Sequence, residues 1–357
     1  MKRRWKILLG GAGLLVALAL VPIITIETTC RAPIEGLETQ GYSPLIKDTA
    51  WQRDESRTWL TYPEWYIVYS AEDFGTFLEK NPPSGYHYLR DIRGFWSSYC
   101  AMNQAASGRA GVDARVMLYT IGLSYSAELL IKALYENTLG RLSEAIGGWQ
   151  SADDRYAMKV QQRYGAFMHE TPWYAFPFGQ AFSGLWQTSE PHEQVRHWER
   201  RLALSSEYGV KTGYAKLIGW ASGASLGRDE PTLRFLVKGD GRALASLDPR
   251  FHIVGKPEHG MTLIEAPRYA QFTDLLNKVA DTPVELVEIS GNDDIFVTLL
   301  LPPNAEVPGP GTHLITTQLG DPPHGRRVGL STKVPDLLGV IRATRQSGGR
   351  VEHVYDY

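Results

Sequence analysis

Four short stretches of this chain carry residue types and spacings associated with chemistry. Gly223-Ala224-Ser225-Leu226-Gly227 has the G-x-S-x-G spacing by which a tight strand-to-helix turn lifts a serine hydroxyl toward a histidine base. Here it follows a helical segment and precedes Arg228-Asp229-Glu230, the reverse of that context, so it reads as a glycine-rich helix end. His192-Glu193-Gln194-Val195-Arg196-His197 approaches the zinc-protease H-E-x-x-H but holds one residue too many. Five helical positions turn the two imidazoles about 140° apart, so no metal site is expected. Asp321-Pro322-Pro323-His324-Gly325-Arg326-Arg327 reads as a polar loop suited to anions or carboxylates, or as a solvated connection. Gly239-Asp240-Gly241-Arg242 lacks the spacing of a phosphate cradle.

The aromatic residues are distributed less evenly. Thirty of the 39 Trp, Tyr and Phe residues fall between Trp51 and Trp220, with clusters at Tyr62 to Tyr69 and at Pro172 to Phe178. Aromatics dominate core packing, which is one reading of both clusters. A second makes the proline-broken cluster a loop dipping into lipid headgroups. A third has the helices wrap an apolar pocket for a lipid or other hydrophobic small molecule. Glu64, Trp65, Tyr66, His169, Glu170 and Trp173 are the candidate ligand-binding residues for that pocket. If the domain is an enzyme, His169 or Glu170 is the general base, with Glu64 opposite. Nothing in the sequence specifies a cofactor.

The elements that would position these residues follow from period and punctuation. Residues 51–230 read as an all-α, aromatic-rich domain with no fixed repeat, and Ser70 to Asp73 and Ser151 to Asp154 have the form of capping boxes at helix starts. After Pro231 the pattern turns to strands at Thr232 to Val237, Thr262 to Ala266, Val284 to Ile289, Ile295 to Leu301, His313 to Gln318 and Val351 to Tyr355. Helices fall after Tyr269 and after Pro335. From Thr262 the order is βαββ(β)αβ, which predicts a ferredoxin-like α/β plait over residues 231–357 and an α+β chain overall.

At the N-terminus, Met1 to Lys6 carries four basic side chains, and Ile7 to Ile26 runs twenty residues without a charge. At about 1.5 Å per residue that run matches a bilayer core of roughly 30 Å. Cations stay on the cytoplasmic side during insertion, so residues 1–27 are expected to be a cytoplasmic stub and transmembrane anchor, followed by a stalk over 28–50. A cleaved signal peptide ending near Ala17-Leu18-Ala19 is the competing reading. Beyond Lys6 there are 33 basic against 39 acidic residues, which lacks the basic excess of a nucleic-acid binder. Cys30 and Cys100, the only cysteines, are either bridged or free. The expectation is a single-pass protein of the bacterial inner membrane, its bulk periplasmic, that binds a hydrophobic small molecule, a lipid or a partner protein. The alternative is an exported enzyme acting on an apolar or lipid-derived substrate.

Overall fold

The computed structural model describes residues 20–34, 37, 41–107, 109–189, 194–225, 232–239, 241–255, 260–320 and 324–357. Two compact units share the chain: a sheet-containing unit of Met1–Pro63, Trp96–Thr120 and Glu230–Tyr357, and a helical unit of Glu64–Phe95 and Ile121–Asp229. No helix among the described residues is long and apolar enough to cross a membrane. Most of the Ile7 to Ile26 run lies outside the described residues; its last seven belong to a helix over 20–29.

The helices are α1 (Ser56–Leu60), α2 (Tyr62–Phe77), α3 (Tyr88–Ala105), α4 (Val112–Tyr135), α5 (Arg141–Gly147), α6 (Ala152–Met168), α7 (Phe178–Leu185) and α8 (Gln194–Ser225). Ser70 to Asp73, expected to start a helix, lies inside α2, which begins eight residues earlier. Ser151 does cap α6, its hydroxyl accepting from the Asp154 amide while Asp154 reaches back to the Ser151 amide.

Contrary to the sequence reading, the helical unit is internally repeated. A 3-10 turn over Pro83–Gly85 precedes α3, and one over Trp173–Ala175 precedes α7, 90 residues on. Position by position, Tyr66, Gly75, Phe77, Pro82 and Gly94 recur as Tyr156, Gly165, Phe167, Pro172 and Gly184. The packing recurs with them. Phe74 meets Tyr86 at 4.6 Å and Tyr88 at 5.8 Å between ring centroids, and their counterparts Tyr164, Phe176 and Phe178 meet at 5.2 and 5.3 Å. A Cβ on Gly75 would come within 3.3 Å of the Gln162 backbone, and a Cβ on Gly165 within 3.2 Å of the Glu72 Cα. Glu72 and Gln162 are themselves equivalent, so the copies face each other across a pseudo-two-fold relation. Helices α4 and α8 continue it at a separation of 79 residues, placing Glu128 and Lys132 opposite Glu207 and Lys211. Both turn charge inward and leave Ile131, Leu134, Leu202 and Val210 about 70 % exposed.

The sheet-containing unit is repeated too. It holds β1 (Thr232–Lys238), α9 (Arg242–Leu247), β2 (His252–Gly255), β3 (Met261–Pro267), α10 (Ala270–Val279), β4 (Leu286–Ile289), β5 (Asp294–Leu301), β6 (Thr312–Leu319), β7 (Gly325–Lys333), α11 (Leu337–Gln346) and β8 (Arg350–Tyr355). Its strands form two antiparallel sheets, in the orders β2-β3-β1-β4 and β6-β7-β5-β8. Each sheet is a βββαβ copy, α9 being an insertion in the first. Even the irregularities correspond: register shifts between Leu236 and Val237 against β4, and between Thr298 and Leu299 against β8. The single ferredoxin-like plait is therefore corrected to two sheets. Two strands are missing from the sequence reading, β2 and β7; β7 opens with Gly325-Arg326-Arg327, which reads as loop although Arg327 is buried in a bidentate pair with Glu352. A single apolar core unites both sheets with α10 and α11, from Phe235 and Phe272 to Val297 and Ile341.

Residues 42–50 of the expected stalk, with 51–53 after them, lie on the first sheet. The carboxylate of Glu288, fully buried, accepts from the Tyr42 hydroxyl and the Leu45 and Ile46 amides at 2.5–2.9 Å, and Arg234 stacks over Trp51 at 3.8 Å. Cys30 and Cys100 are joined in a disulfide.

Replacing Gly75 or Gly165 with Leu overpacks the α2–α6 contact and lowers stability by about 1–3 kcal/mol. Urea unfolding followed by circular dichroism measures this. Gly179→Ala, whose added methyl meets nothing within 4 Å, leaves the midpoint no lower.

Candidate functional site

The site begins with two Glu-x-x-x-Lys segments, one on α4 and one on α8. Lys132 reaches Glu207 at 2.9 Å and Lys211 reaches Glu128 at 2.9 Å, while each lysine also holds the glutamate of its own helix at 3.3 and 3.1 Å. The ammonium groups lie over aromatic faces, Lys132 over Phe74 at 5.5 Å and Lys211 over Tyr164 at 5.1 Å. Burial pushes the Glu207 carboxyl up, but Lys132 and Lys211 outweigh it and hold it down at about 2. Glu128 is lowered by the same balance.

Next to this square, the π-helical turn Glu136–Gly140 redirects the chain out of α4. Glu136 grips the buried guanidinium of Arg200 at 2.8 and 3.1 Å. Glu199 holds the other edge of Arg200 at 2.8 Å and accepts from Tyr135 and Ser143. Arg196, wholly buried, forks onto Asp154 at 2.8 and 3.0 Å and donates to the Gly140 carbonyl at 3.2 Å. A Cβ on Gly140 would stand 2.4 Å from the Glu136 carboxylate, so a larger residue there would displace Glu136 from its place beside Arg200.

Between these charges and the α2 side of the unit lies a cavity of about 270 Å³. Phe74, Tyr88, Trp149 and Tyr208 supply aromatic wall, Met158 and Leu204 aliphatic wall, and Lys132, Glu136, Asp154, Arg200 and Glu207 the polar floor; Glu79 and Arg155 also line it. Such mixed concave lining is the ordinary form of a small-molecule site.

None of the six residues singled out from sequence lines this cavity. Four occupy the positions equivalent to its lining in the other copy: Glu64 for Asp154, Trp65 for Arg155, His169 for Glu79 and Trp173 for Pro83. Trp65 is buried and meets the His169 ring at 5.5 Å, and Trp173 packs on Tyr214 at 5.4 Å. Tyr66 is buried with its hydroxyl against Gly94, as Tyr156 lies against Gly184. Glu170 is exposed. His169 pairs through Nε2 with Glu72 at 2.7 Å, the contact equivalent to Gln162 on Glu79 in the first copy. Of the lining residues passed over, Lys132 and Glu207 did leave one signal in the sequence, the same Glu-x-x-x-Lys spacing on the two longest described helices, while Glu136 and Arg200 left none.

The remaining candidates do not assemble. His192 lies outside the described residues, and His197 meets Asp153 at 2.5 Å. Ser225 ends α8, and Leu226 and Gly227 lie outside the described residues. In the sheet-containing unit Glu55, Asp293 and Asp294 bring carboxylate oxygens within 4.8 Å of one another; Arg109 pairs with Glu55, and Lys333 with both aspartates. No protein-family profile matches the chain, and no curated protein or solved structure matches it.

Because Glu207 titrates lower in the folded chain than its ordinary 4.5, its ion pairs stabilise above about pH 4.5 and are lost as pH falls toward about 2. Urea midpoints taken across that window drop with acidification. In Glu207→Gln the drop is shallower.

Proposed function

We propose that the protein is a membrane-anchored, exported binding module whose helical unit takes a small ligand with an apolar body and a charged or polar end. The cavity carries this reading. Its lining charges Lys132, Glu136, Asp154, Arg200 and Glu207 are each committed to an ion pair, which suits recognition better than nucleophilic or acid-base work. Buried ion pairs of this kind fix geometry at little net gain in stability.

Export is supported by the disulfide, since such bonds persist in oxidising compartments and not in the cytosol. It is supported also by the four cations ahead of twenty uncharged residues. Together they favour a bacterial inner-membrane protein held by residues 7–26, its N-terminus cytoplasmic and its bulk periplasmic. The rival reading is an exported enzyme on an apolar substrate. The His169–Glu72 contact is what favours it, with Glu72 in the place first given to Glu64.

Native mass spectrometry of the detergent-extracted chain is expected to show a bound small molecule that Leu204→Trp, which fills the cavity, removes. Retention in Leu204→Trp together with loss in His169→Ala moves the site to the other copy. An alkaline phosphatase fused after Tyr357 is expected to be active, and an inactive fusion rejects export.

A further inference from the structure

The charge balance of the cavity points to the sign of its ligand, an inference that rests on the binding reading above. Glu128, Lys132, Glu207 and Lys211 cancel. Glu79 and Arg155, also on the lining, carry opposite charges. The floor does not cancel. Asp154, Glu136 and Glu199 share two cations, Arg196 and Arg200, a formal excess of one carboxylate beside the cavity; Glu199, set behind the lining, also accepts from Tyr135 and Ser143. An uncompensated charge removed from water costs several kcal/mol unless a counter-charge meets it.

The internal repeat shows that this charge is not demanded by the helical packing. At the positions equivalent to Glu136 and Arg200 the other copy has Ala215 and Ile121, while each copy contributes one Glu-x-x-x-Lys segment to the single lysine–glutamate square. What the two copies share holds the unit together. What only the open copy has is the acid-rich floor. Aromatic walls complete it, because ring faces attract cations, and Lys132 already uses the Phe74 face in this way.

We infer that the pocket binds a small organic cation, an amine or quaternary ammonium carrying an aromatic or short alkyl body, with its charge toward Glu136 and its body among Phe74, Tyr88 and Tyr208. A carboxylate of the same size would add to the floor's excess charge and is rejected.

The test compares three probes that share a phenyl body and differ in the charge of their polar end, on the full-length protein in detergent by isothermal titration calorimetry: benzyltrimethylammonium, benzyl alcohol and benzoate. The cation is expected to bind at least tenfold more tightly than benzoate. Glu136→Gln is expected to cost the cation about tenfold and the alcohol little, and Leu204→Trp to abolish binding of all three. Equal or tighter binding of benzoate overturns the inference, as does a Glu136→Gln variant that holds the cation unchanged. These outcomes leave the pocket itself standing provided Leu204→Trp still abolishes binding. If no probe binds, or Leu204→Trp changes nothing, the binding reading falls with it. The probe comparison needs no variant, so a poorly folding Glu136→Gln protein does not spoil it.

Discussion

Charge drawn inside the helical unit has to be met by charge, and that requirement organises the unit. Lys132 and Lys211 each lie between two glutamates, one from each of the two long helices. Removing one member would leave each of its partners one counter-charge in place of two. The pairing also sets register, since it is met only when α4 and α8 bring their fourth-residue spacings into step. The close approach at Gly75 and Gly165 applies the same constraint in steric form. Both are satisfied by a two-fold relation between copies, and the cavity is where the copies stop being alike.

The same logic applies to the sheet-containing unit, where the repeat is of backbone more than of side chains. The two βββαβ copies share strand order and the placement of their register shifts. Their outer faces differ. Glu288 receives amides from the segment after Gly41, while at the equivalent position His353 lies edge-on to Tyr355 at 4.7 Å. Tyr62 packs against Phe296 and Tyr355 on that second sheet.

Much of this fold was legible in the sequence where one physical signal dominated. Strands β1, β3, β5 and β8 and the helix after Tyr269 announced themselves by alternation or an apolar stripe, and the Ser151 cap by its side-chain chemistry. Strand β7 was hidden because its first residues are glycine and arginine, and the arginine is buried only by virtue of Glu352. The helical repeat was hidden for a different reason. Its copies agree mainly at glycines, prolines and aromatics, which set close approaches and turns, and diverge elsewhere. The cavity depends on pairs far apart in sequence, such as Glu136 with Arg200, that no local pattern reports. Helices α4 and α8 added to the difficulty by inverting the usual arrangement, with charges inward and Leu134 and Val210 outward.

On the proposal that residues 7–26 are a membrane anchor, the bond between Cys30 and Cys100 also has a mechanical meaning. A pull transmitted along the backbone from residue 29 reaches the sulfur bridge before any of residues 31–99, and a covalent link carries load that hydrogen bonds and packed rings cannot. The first copy of the helical repeat, from Glu64 to Phe95, lies wholly inside that bypassed loop. Tension at such an anchor would thereby be kept away from Phe74, Glu79 and Tyr88, the part of the cavity wall contributed by that copy.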